Sequence, residues 1–215
     1  MTRACLIDVY DTIVESQLDT RLRDMAAFAG VDAGDWLAAW LTTRSERDRG
    51  TVSVAGSLGR TLQACGIEPE PALVGALARK DTELMRERVR VFGDSVPFLT
   101  ALRDSGVSIA LVSNCGDTTR AMLGDLGLLQ LADAAILSCE VGSAKPSPEI
   151  YDAALDDLGV AAADAVMIDD QPDFCAGAEA VGIRAIQIVR PELNGRVPKA
   201  GYPLVESLLD VPALL

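Results

Sequence analysis

Five short and almost continuously apolar segments constrain the fold of this chain more than any other feature. Because side chains along a strand alternate between the two faces of a sheet, a strand that is apolar throughout is typical of a parallel sheet covered on both faces. Several of the segments end in a polar residue and a turn. The segments are ACLID (4–8), SIALVSN (108–114), DAAILS (133–138), DAVMIDD (164–170) and RAIQIV (184–189).

Helical patterns fill the stretches between the later segments. One of them opens with Ser147 in a capping position and Pro148 in the first turn, as helix starts commonly do. The alternation of strands and helices predicts an α/β fold with a Rossmann-like, doubly wound parallel sheet. After residue 203 the pattern predicts a loop and a short terminal helix. The helical patterns cover residues 117–126, 147–158 and 173–181.

A long stretch near the N-terminus interrupts this alternation. Residues 15–89 contain no strand-like segment and are typical of about four amphipathic helices, with breaks near GVDAGD, DRGTVS and GIEPEP. We therefore predict an inserted, all-helical cap at 15–89 and a core made of residues 1–14 and 90–215.

The absence of histidine narrows the chemistry that the chain can perform. None of the 215 residues is histidine, which excludes Ser-His-Asp and Cys-His nucleophiles, imidazole bases and histidine-ligated metals. The cysteines are scattered and show no CxxC spacing, so we expect buried free thiols rather than a disulfide framework or a zinc site. They are Cys5, Cys65, Cys115, Cys139 and Cys175.

The charge and the apolar segments bear on partners and location. A net charge of −13 opposes binding to nucleic acids and anionic lipids, which are polyanions, although a small anion can still bind at a local basic spot. No apolar run reaches the roughly 18 residues of a membrane span. The first residues lack the features of a signal peptide, so we expect a cytoplasmic protein.

Polar side chains gather where the predicted strands end. Because ligands of parallel sheets bind beyond the carboxyl ends of the strands, these residues are the candidates for a site. They include carboxylates, hydroxyls, an amide and one lysine. The candidates are Asp8, Tyr10, Thr12, Ser113, Asn114, Lys145, Asp169 and Asp170.

Four motifs in this order resemble those of the haloacid dehalogenase superfamily. LIDVYDTI is similar to its first motif, LVSNC to the second, AKPSPEIYDAAL to the third and VMIDDQPD to the fourth. The resemblance covers the whole chain, and the insertion at 15–89 resembles the helical (C1-type) cap of that superfamily. A hydrolase with an aspartate nucleophile is what this resemblance implies.

The resemblance also implies roles for individual residues. Asp8 would be the nucleophile that forms an acyl intermediate. Ser113 would hydrogen-bond an anionic oxygen of the substrate, and Lys145 would hold the carboxylate of the nucleophile and the transferring anion. Thr12 and Asn114 are predicted to contact the substrate.

A magnesium site is implied at the same strand ends. Asp170 and Asp169 would bind Mg²⁺ together with Asp8 and the backbone carbonyl of Tyr10. This all-oxygen donor set is the kind that Mg²⁺ prefers.

Tyr10 leaves the reaction open. Phosphatases of the superfamily carry a second aspartate here, which protonates the leaving group, whereas tyrosine at this position resembles the 2-haloacid dehalogenases, whose leaving halide needs no proton. The pair Asp169 and Asp170 favours the metal-dependent phosphatase. Asp11 stands at a position where enzymes of the superfamily usually carry glycine. We therefore predict a Mg²⁺-dependent phosphatase of a small phosphorylated metabolite. The alternatives are a metal-independent 2-haloacid dehalogenase and a catalytically impaired binding protein.

The predicted cap would supply substrate specificity. Trp36 and Trp40 have the i, i+4 spacing of a packing stripe. Among the arginines that follow, we select Arg44 as the one to reach a substrate carboxylate or phosphate. We expect a small anionic substrate, and the sequence leaves both a monomer and a homodimer open.

Overall fold

A six-stranded parallel sheet forms the centre of the molecule. In the computed structural model, which describes residues 2–193 and 201–215, the strands in chain order are β1 (Ala4–Ile7), β2 (Val14–Glu15), β3 (Arg90–Val91), β4 (Ser108–Ser113), β5 (Ala134–Leu137), β6 (Ala165–Asp169), β7 (Arg184–Ile188) and β8 (Leu204–Val205). The sheet order is β5-β4-β1-β6-β7-β8, with every neighbouring pair parallel. Counted along the sheet's own strands this is 3-2-1-4-5-6, the order of a doubly wound fold. The predicted fold class is confirmed.

The centre of the sheet explains why its strands are apolar throughout. β1 pairs with β4 on one side and with β6 on the other, so that Cys5 is opposite both Ile109 and Val166. Cys5 packs into an apolar cluster on one face of the sheet and its neighbour Leu6 into a cluster on the other. Both faces are therefore buried, and neither set of side chains can be polar.

Helices cover both faces. Those of the described chain are α1 (Leu18–Ala29), α2 (Ala33–Thr42), α3 (Arg44–Asp48), α4 (Val54–Ala64), α5 (Pro71–Arg88), α6 (Ser95–Asp104), α7 (Thr119–Asp125), α8 (Ser138–Val141), α9 (Pro148–Leu158) and α10 (Pro172–Ala180). Residues of α6 and α7 pack in the cluster of Cys5, and residues of α9 and α10 pack in the cluster of Leu6. The three helices predicted between the later strands are present, with ends shifted by up to two residues.

The first five helices form a helical segment with an apolar cluster of its own. This segment, α1 to α5, buries Leu22, Trp36, Leu58 and Leu77 in that cluster. Its two connections to the sheet are β2 and β3, which pair antiparallel. The breaks lie where the sequence predicts them, but a further break at Thr43 makes five helices instead of four. That the segment acts as a separate cap stays a prediction.

The C-terminal end differs from its expectation. The two-residue strand β8 pairs with β7, where a loop was predicted, because two residues are too few for a strand pattern to appear. A 3-10 helix at Leu208–Leu214 then ends the chain. Within the described residues, every helix is too short or too polar to cross a bilayer.

Candidate active site

The carboxyl ends of β1 and β6 meet where the order of the strands reverses. Asp8 directly follows β1, and its backbone N–H donates to the carbonyl of Ile168 at 2.9 Å. Asp169 ends β6 and Asp170 comes next. Because ligands of doubly wound sheets bind in the crevice outside such a point, the topology places all three carboxylates at a binding position.

Lys145 joins the carboxylates into one buried cluster. Its Nζ donates to Asp8 Oδ1 and to Asp169 Oδ2, each at 2.6 Å. Carboxylate oxygens of Asp8, Asp169 and Asp170 lie within 4.8 Å of one another. When ionised, the three carboxylates and the ammonium sum to two negative charges. The ring of Phe174 packs against the cluster, with its centroid 4.9 Å from Lys145 Nζ.

Burial and charge act in opposite directions on the two central groups. Burial raises the pKa of Asp8 to about 7, although Lys145 opposes the rise and the charge of Asp169 adds to it. Burial by itself lowers the pKa of Lys145, but Asp169 and Asp8 outweigh burial and hold that pKa above its ordinary value. Lys145 is therefore a permanent cation at neutral pH. Asp8, with a pKa near neutral pH, is ionised or protonated according to the charges of the neighbouring groups.

Tyr10 and Asp11 form the turn that follows Asp8. The hydroxyl of Tyr10 and Thr119 Oγ1 share a hydrogen bond of 3.0 Å, and burial raises the pKa of Tyr10 well above its ordinary value. Asp11 has a φ of 62°, in the left-handed region that glycine favours and that aspartate tolerates. The backbone thus explains why glycine is usual here, and Asp11 Oδ1 stabilises the turn by accepting from the N–H of Ser16 at 3.1 Å.

Arg190 ties the same loop to distant parts of the chain. Its guanidinium donates to the carbonyl of Thr12 and, at 2.7 Å, to Asp94 Oδ2. Asp94 also accepts from Ser207 Oγ at 2.7 Å. Burial raises the pKa of Asp94, but the hydrogen bonds from Arg190 and Ser207 outweigh it and hold the pKa below its ordinary value. Sequence reasoning did not select Arg190, although its place just beyond β7 was a signal of the kind used for the other candidates.

The second motif contributes a free hydroxyl and a structural amide. Asn114 Nδ2 donates to the carbonyl of Lys145 at 2.8 Å, and Asn114 Oδ1 accepts from its N–H at 2.7 Å. This pair of bonds fixes the backbone that carries Lys145. Ser113 Oγ and Thr12 Oγ1 are fully buried and have no hydrogen-bond partner among the described residues.

A cavity of about 310 Å³ opens between the strand ends and the helical segment. Four of the predicted site residues line it, namely Asp8, Tyr10, Asn114 and Arg44. Lys145 lines an adjoining pocket that shares Asn114 and Arg44. The lining of neither pocket includes Thr12, Ser113, Asp169 or Asp170, which are buried.

Arg47, which also lines the cavity, is more enclosed than Arg44. Its guanidinium lies 3.7 Å from the ring centroid of Trp40 and donates to the carbonyl of Trp40 at 2.8 Å. Burial lowers the pKa of Arg47 to about 10. Arg44 is exposed and approaches Asp48 at 3.7 Å. Trp36 and Trp40 both pack in the apolar cluster of the helical segment, as predicted, and Trp40 also lines the cavity.

The sequence comparison assigns the family. The family model of the haloacid dehalogenase-like hydrolases matches residues 2–182. This chain is a haloacid dehalogenase-like hydrolase. The resemblance stated from the four motifs is confirmed, and so is the prediction of a hydrolase.

Two curated relatives of this hydrolase are named phosphatases. The glyceraldehyde 3-phosphate phosphatase of Methanopyrus kandleri is 29% identical over 99% of this chain and 94% of that protein. The phosphoserine phosphatase of Thermus thermophilus is 32% identical over 73% of this chain and 60% of that protein.

Two solved structures share the fold over nearly the whole chain. The L-2-haloacid dehalogenase of Xanthobacter autotrophicus has a TM-score of 0.72 at 20% identity and covers 100% of this hydrolase and 98% of its own chain. CbbY of Rhodobacter sphaeroides, solved with phosphate, has a TM-score of 0.70 at 23% identity, with coverage of 98% and 96%. At these identities the likeness concerns the fold, and the choice of reaction depends on the site.

Proposed function

We propose that this hydrolase is a Mg²⁺-dependent phosphatase that acts on a small phosphorylated metabolite with Asp8 as its nucleophile. The observation that carries the proposal is the buried cluster in which Asp8, Asp169 and Asp170 lie together with one lysine, Lys145. The phosphatase names of the two relatives support the same reaction class.

The cluster suits a hard divalent cation. Asp8, Asp169, Asp170 and the backbone carbonyl of Tyr10 would hold Mg²⁺, since carboxylate and carbonyl oxygens are its preferred protein ligands. Adjacent buried carboxylates are costly without a cation, and a divalent ion matches the two negative charges of the cluster. Bound Mg²⁺ would neutralise charge on the phosphoryl oxygens of the substrate.

Asp8 then acts through its ionised carboxylate. Lys145 holds one oxygen of Asp8, and a carboxylate oxygen attacks phosphorus while the bond to the leaving oxygen breaks. The product is an acyl phosphate on Asp8. Attack of water on its phosphorus releases phosphate and restores the carboxylate. The hydroxyls of Ser113 and Thr12, which have no partner among the described residues, would donate to phosphoryl oxygens.

Tyr10 limits the help given to the leaving group. Its hydroxyl can donate a proton, but its raised pKa makes it a poor base at neutral pH. We therefore infer a preference for phosphate esters whose leaving group is stable as an anion.

The helical segment would act as the cap that selects the substrate. Trp40, Arg44 and Arg47 lie on its side of the cavity. The two arginines would face the anionic part of a small substrate, with Arg47 held in place by its stacking on Trp40.

Tyr10 also supports a second candidate, a 2-haloacid dehalogenase. Tyr10 and Asp8 line the same cavity, and a halide leaves without a proton, so the missing aspartate would cost that reaction nothing. Asp8 would attack carbon instead of phosphorus, and no metal would be needed.

A paired assay separates the candidates. The full chain is tested with Mg²⁺ and with EDTA, against a panel of phosphate esters and against 2-chloropropionate with halide detection. We expect phosphate release that needs Mg²⁺ and disappears in Asp8→Asn. Halide release in EDTA would establish the dehalogenase, and no turnover of either substrate class would leave a binding protein.

Thermal unfolding tests the metal site without activity. Millimolar Mg²⁺ should raise the melting temperature by linkage, and Asp170→Asn should remove the effect. Asp173→Asn is the matched control, because Asp173 is exposed on α10 and outside the cluster. If Mg²⁺ shifts the melting temperatures of Asp170→Asn and Asp173→Asn by the same amount, the proposed metal site is contradicted.

A further inference from the structure

Two cysteines that are distant in the sequence meet beside the candidate site. The neighbouring strands β4 and β5 pair Ser113 with Leu137. Cys115 and Cys139 each follow this pair by two residues. The N–H of Cys115 donates to Ser138 Oγ at 2.9 Å, which connects the segment after β4 to the start of α8.

The two thiols are close enough to interact. Cys115 donates a hydrogen bond to the sulfur of Cys139. This bond lowers the pKa of Cys139 more than burial raises it, whereas the same bond, followed by burial, raises the pKa of Cys115. Thiolate character is therefore concentrated on Cys139, and the thiolate is the reactive form of cysteine.

The two thiols differ in their access to solvent. Cys139 is half-buried, whereas Cys115 is 4% exposed. A reagent from solvent therefore meets Cys139 first. Cys5 and Cys175 are fully buried, as expected from the sequence. Cys65, at the end of α4, is half-buried like Cys139, so these two thiols differ from the expectation of burial.

Hydrogen bonds and packing connect the pair to the cavity. Thr119 forms side-chain hydrogen bonds with Cys115 and with Tyr10. Gly50, in the helical segment, packs on the backbone of Cys139 so closely that a Cβ there would overlap the Cys139 carbonyl oxygen. The cysteine pair is thus linked to Tyr10 through Thr119 and to the helical segment through Gly50.

We propose that Cys115 and Cys139 form a dithiol site that a hydroperoxide converts reversibly into a disulfide. The Cys139 thiolate attacks one peroxide oxygen, the O–O bond breaks, and Cys139 becomes a sulfenic acid while the other oxygen leaves and is protonated. The sulfur of Cys115 then attacks that of Cys139, the S–O bond breaks, and the oxygen leaves as water with the proton of the Cys115 thiol. A dithiol reductant reverses the change.

The test is a thiol count with peptide mapping on the full chain. The background is Cys65→Ala, which removes the other half-buried thiol and leaves four of the five cysteines. After equimolar hydrogen peroxide we expect two titratable thiols in place of four, and dithiothreitol should restore them. Digestion by trypsin and Glu-C places Cys115 in peptide 104–120 and Cys139 in peptide 121–140, apart from Cys175.

The peptide map decides the outcome. We expect peptides 104–120 and 121–140 to be joined before reduction and separate afterwards, and Cys139→Ser to keep Cys115 reduced under the same treatment. In Cys115→Ala, dimedone should trap the sulfenic acid on Cys139. Sulfinic acid on Cys139 with Cys115 still reduced, or a Cys115 thiol lost at the same rate in Cys139→Ser, would overturn the proposal.

Discussion

Replacing Lys145 by methionine should convert the site into a buried cluster of uncompensated charge. The ammonium makes two hydrogen bonds of 2.6 Å to Asp8 and Asp169, and all three side chains are buried. Removing one partner of a buried ion pair costs about 3–5 kcal/mol, because the remaining charge stays in a medium of low dielectric. At about 2–4 °C per kcal/mol for a chain of this size, Lys145→Met should lower the melting temperature by roughly 6–20 °C in EDTA at pH 8.

Lys80→Met is the matched control, since it makes the same chemical change at an exposed ion pair. Lys80 lies 3.5 Å from Glu83 on the surface of α5, and such pairs are worth about 0–1 kcal/mol. The assay is urea and thermal unfolding of both variants in EDTA and in Mg²⁺.

Acid should rescue Lys145→Met if charge is the cause. The pKa of Asp8 is raised to about 7 even with Lys145 present, so lowering the pH from 8 to 6 should protonate the cluster and reduce the deficit. Mg²⁺ should also reduce it. A Lys145→Met loss no larger than that of Lys80→Met, or a loss that is the same at pH 8 and pH 6, would refute the reasoning.

Three further predictions concern the surroundings of the site. If leaving groups receive little help, aryl phosphates should react far faster than alkyl phosphates, and Tyr10→Asp should raise alkyl turnover by up to about 10²–10⁴-fold; similar chemical-step rates for both ester classes in the wild type would sink this idea. Asn114→Ala removes two hydrogen bonds to the backbone of Lys145 and should lower the free energy of unfolding in urea by about 1–3 kcal/mol. Because Lys145 would then be less well positioned, kcat should fall more than KM changes. An unchanged kcat would count against this positioning role. The pKa of Asp94 is lowered in the folded state, so its bond with Arg190 stabilises the fold above about pH 4 and is lost as the pH falls through the lowered pKa. The free energies of unfolding of Asp94→Asn and wild type, measured at several pH values, should therefore differ near neutral pH and become equal at acid pH. A difference that stays constant with pH would contradict the linkage.

The sequence by itself determined the fold class and the positions of the strands that carry the site. Each central strand is apolar on both faces because both faces are covered, so the segment around Leu6 could be read without knowing its partners. The polar residues at strand ends followed from the same pattern, since a parallel sheet brings its carboxyl ends to one edge. Asp8 and Asp169 were therefore placed together before any contact was known.

Tertiary structure alone decided what those residues touch. The amide of Asn114 binds the backbone of Lys145, and Arg47 instead of Arg44 is enclosed against Trp40. The register of β4 and β5 brings Cys115 to Cys139. Each of these contacts depends on how whole helices and strands pack, or on the direction in which a side chain points. No local sequence pattern predicts either of these. The pKa values follow the same rule, because burial and neighbouring charges exist only once the chain has folded.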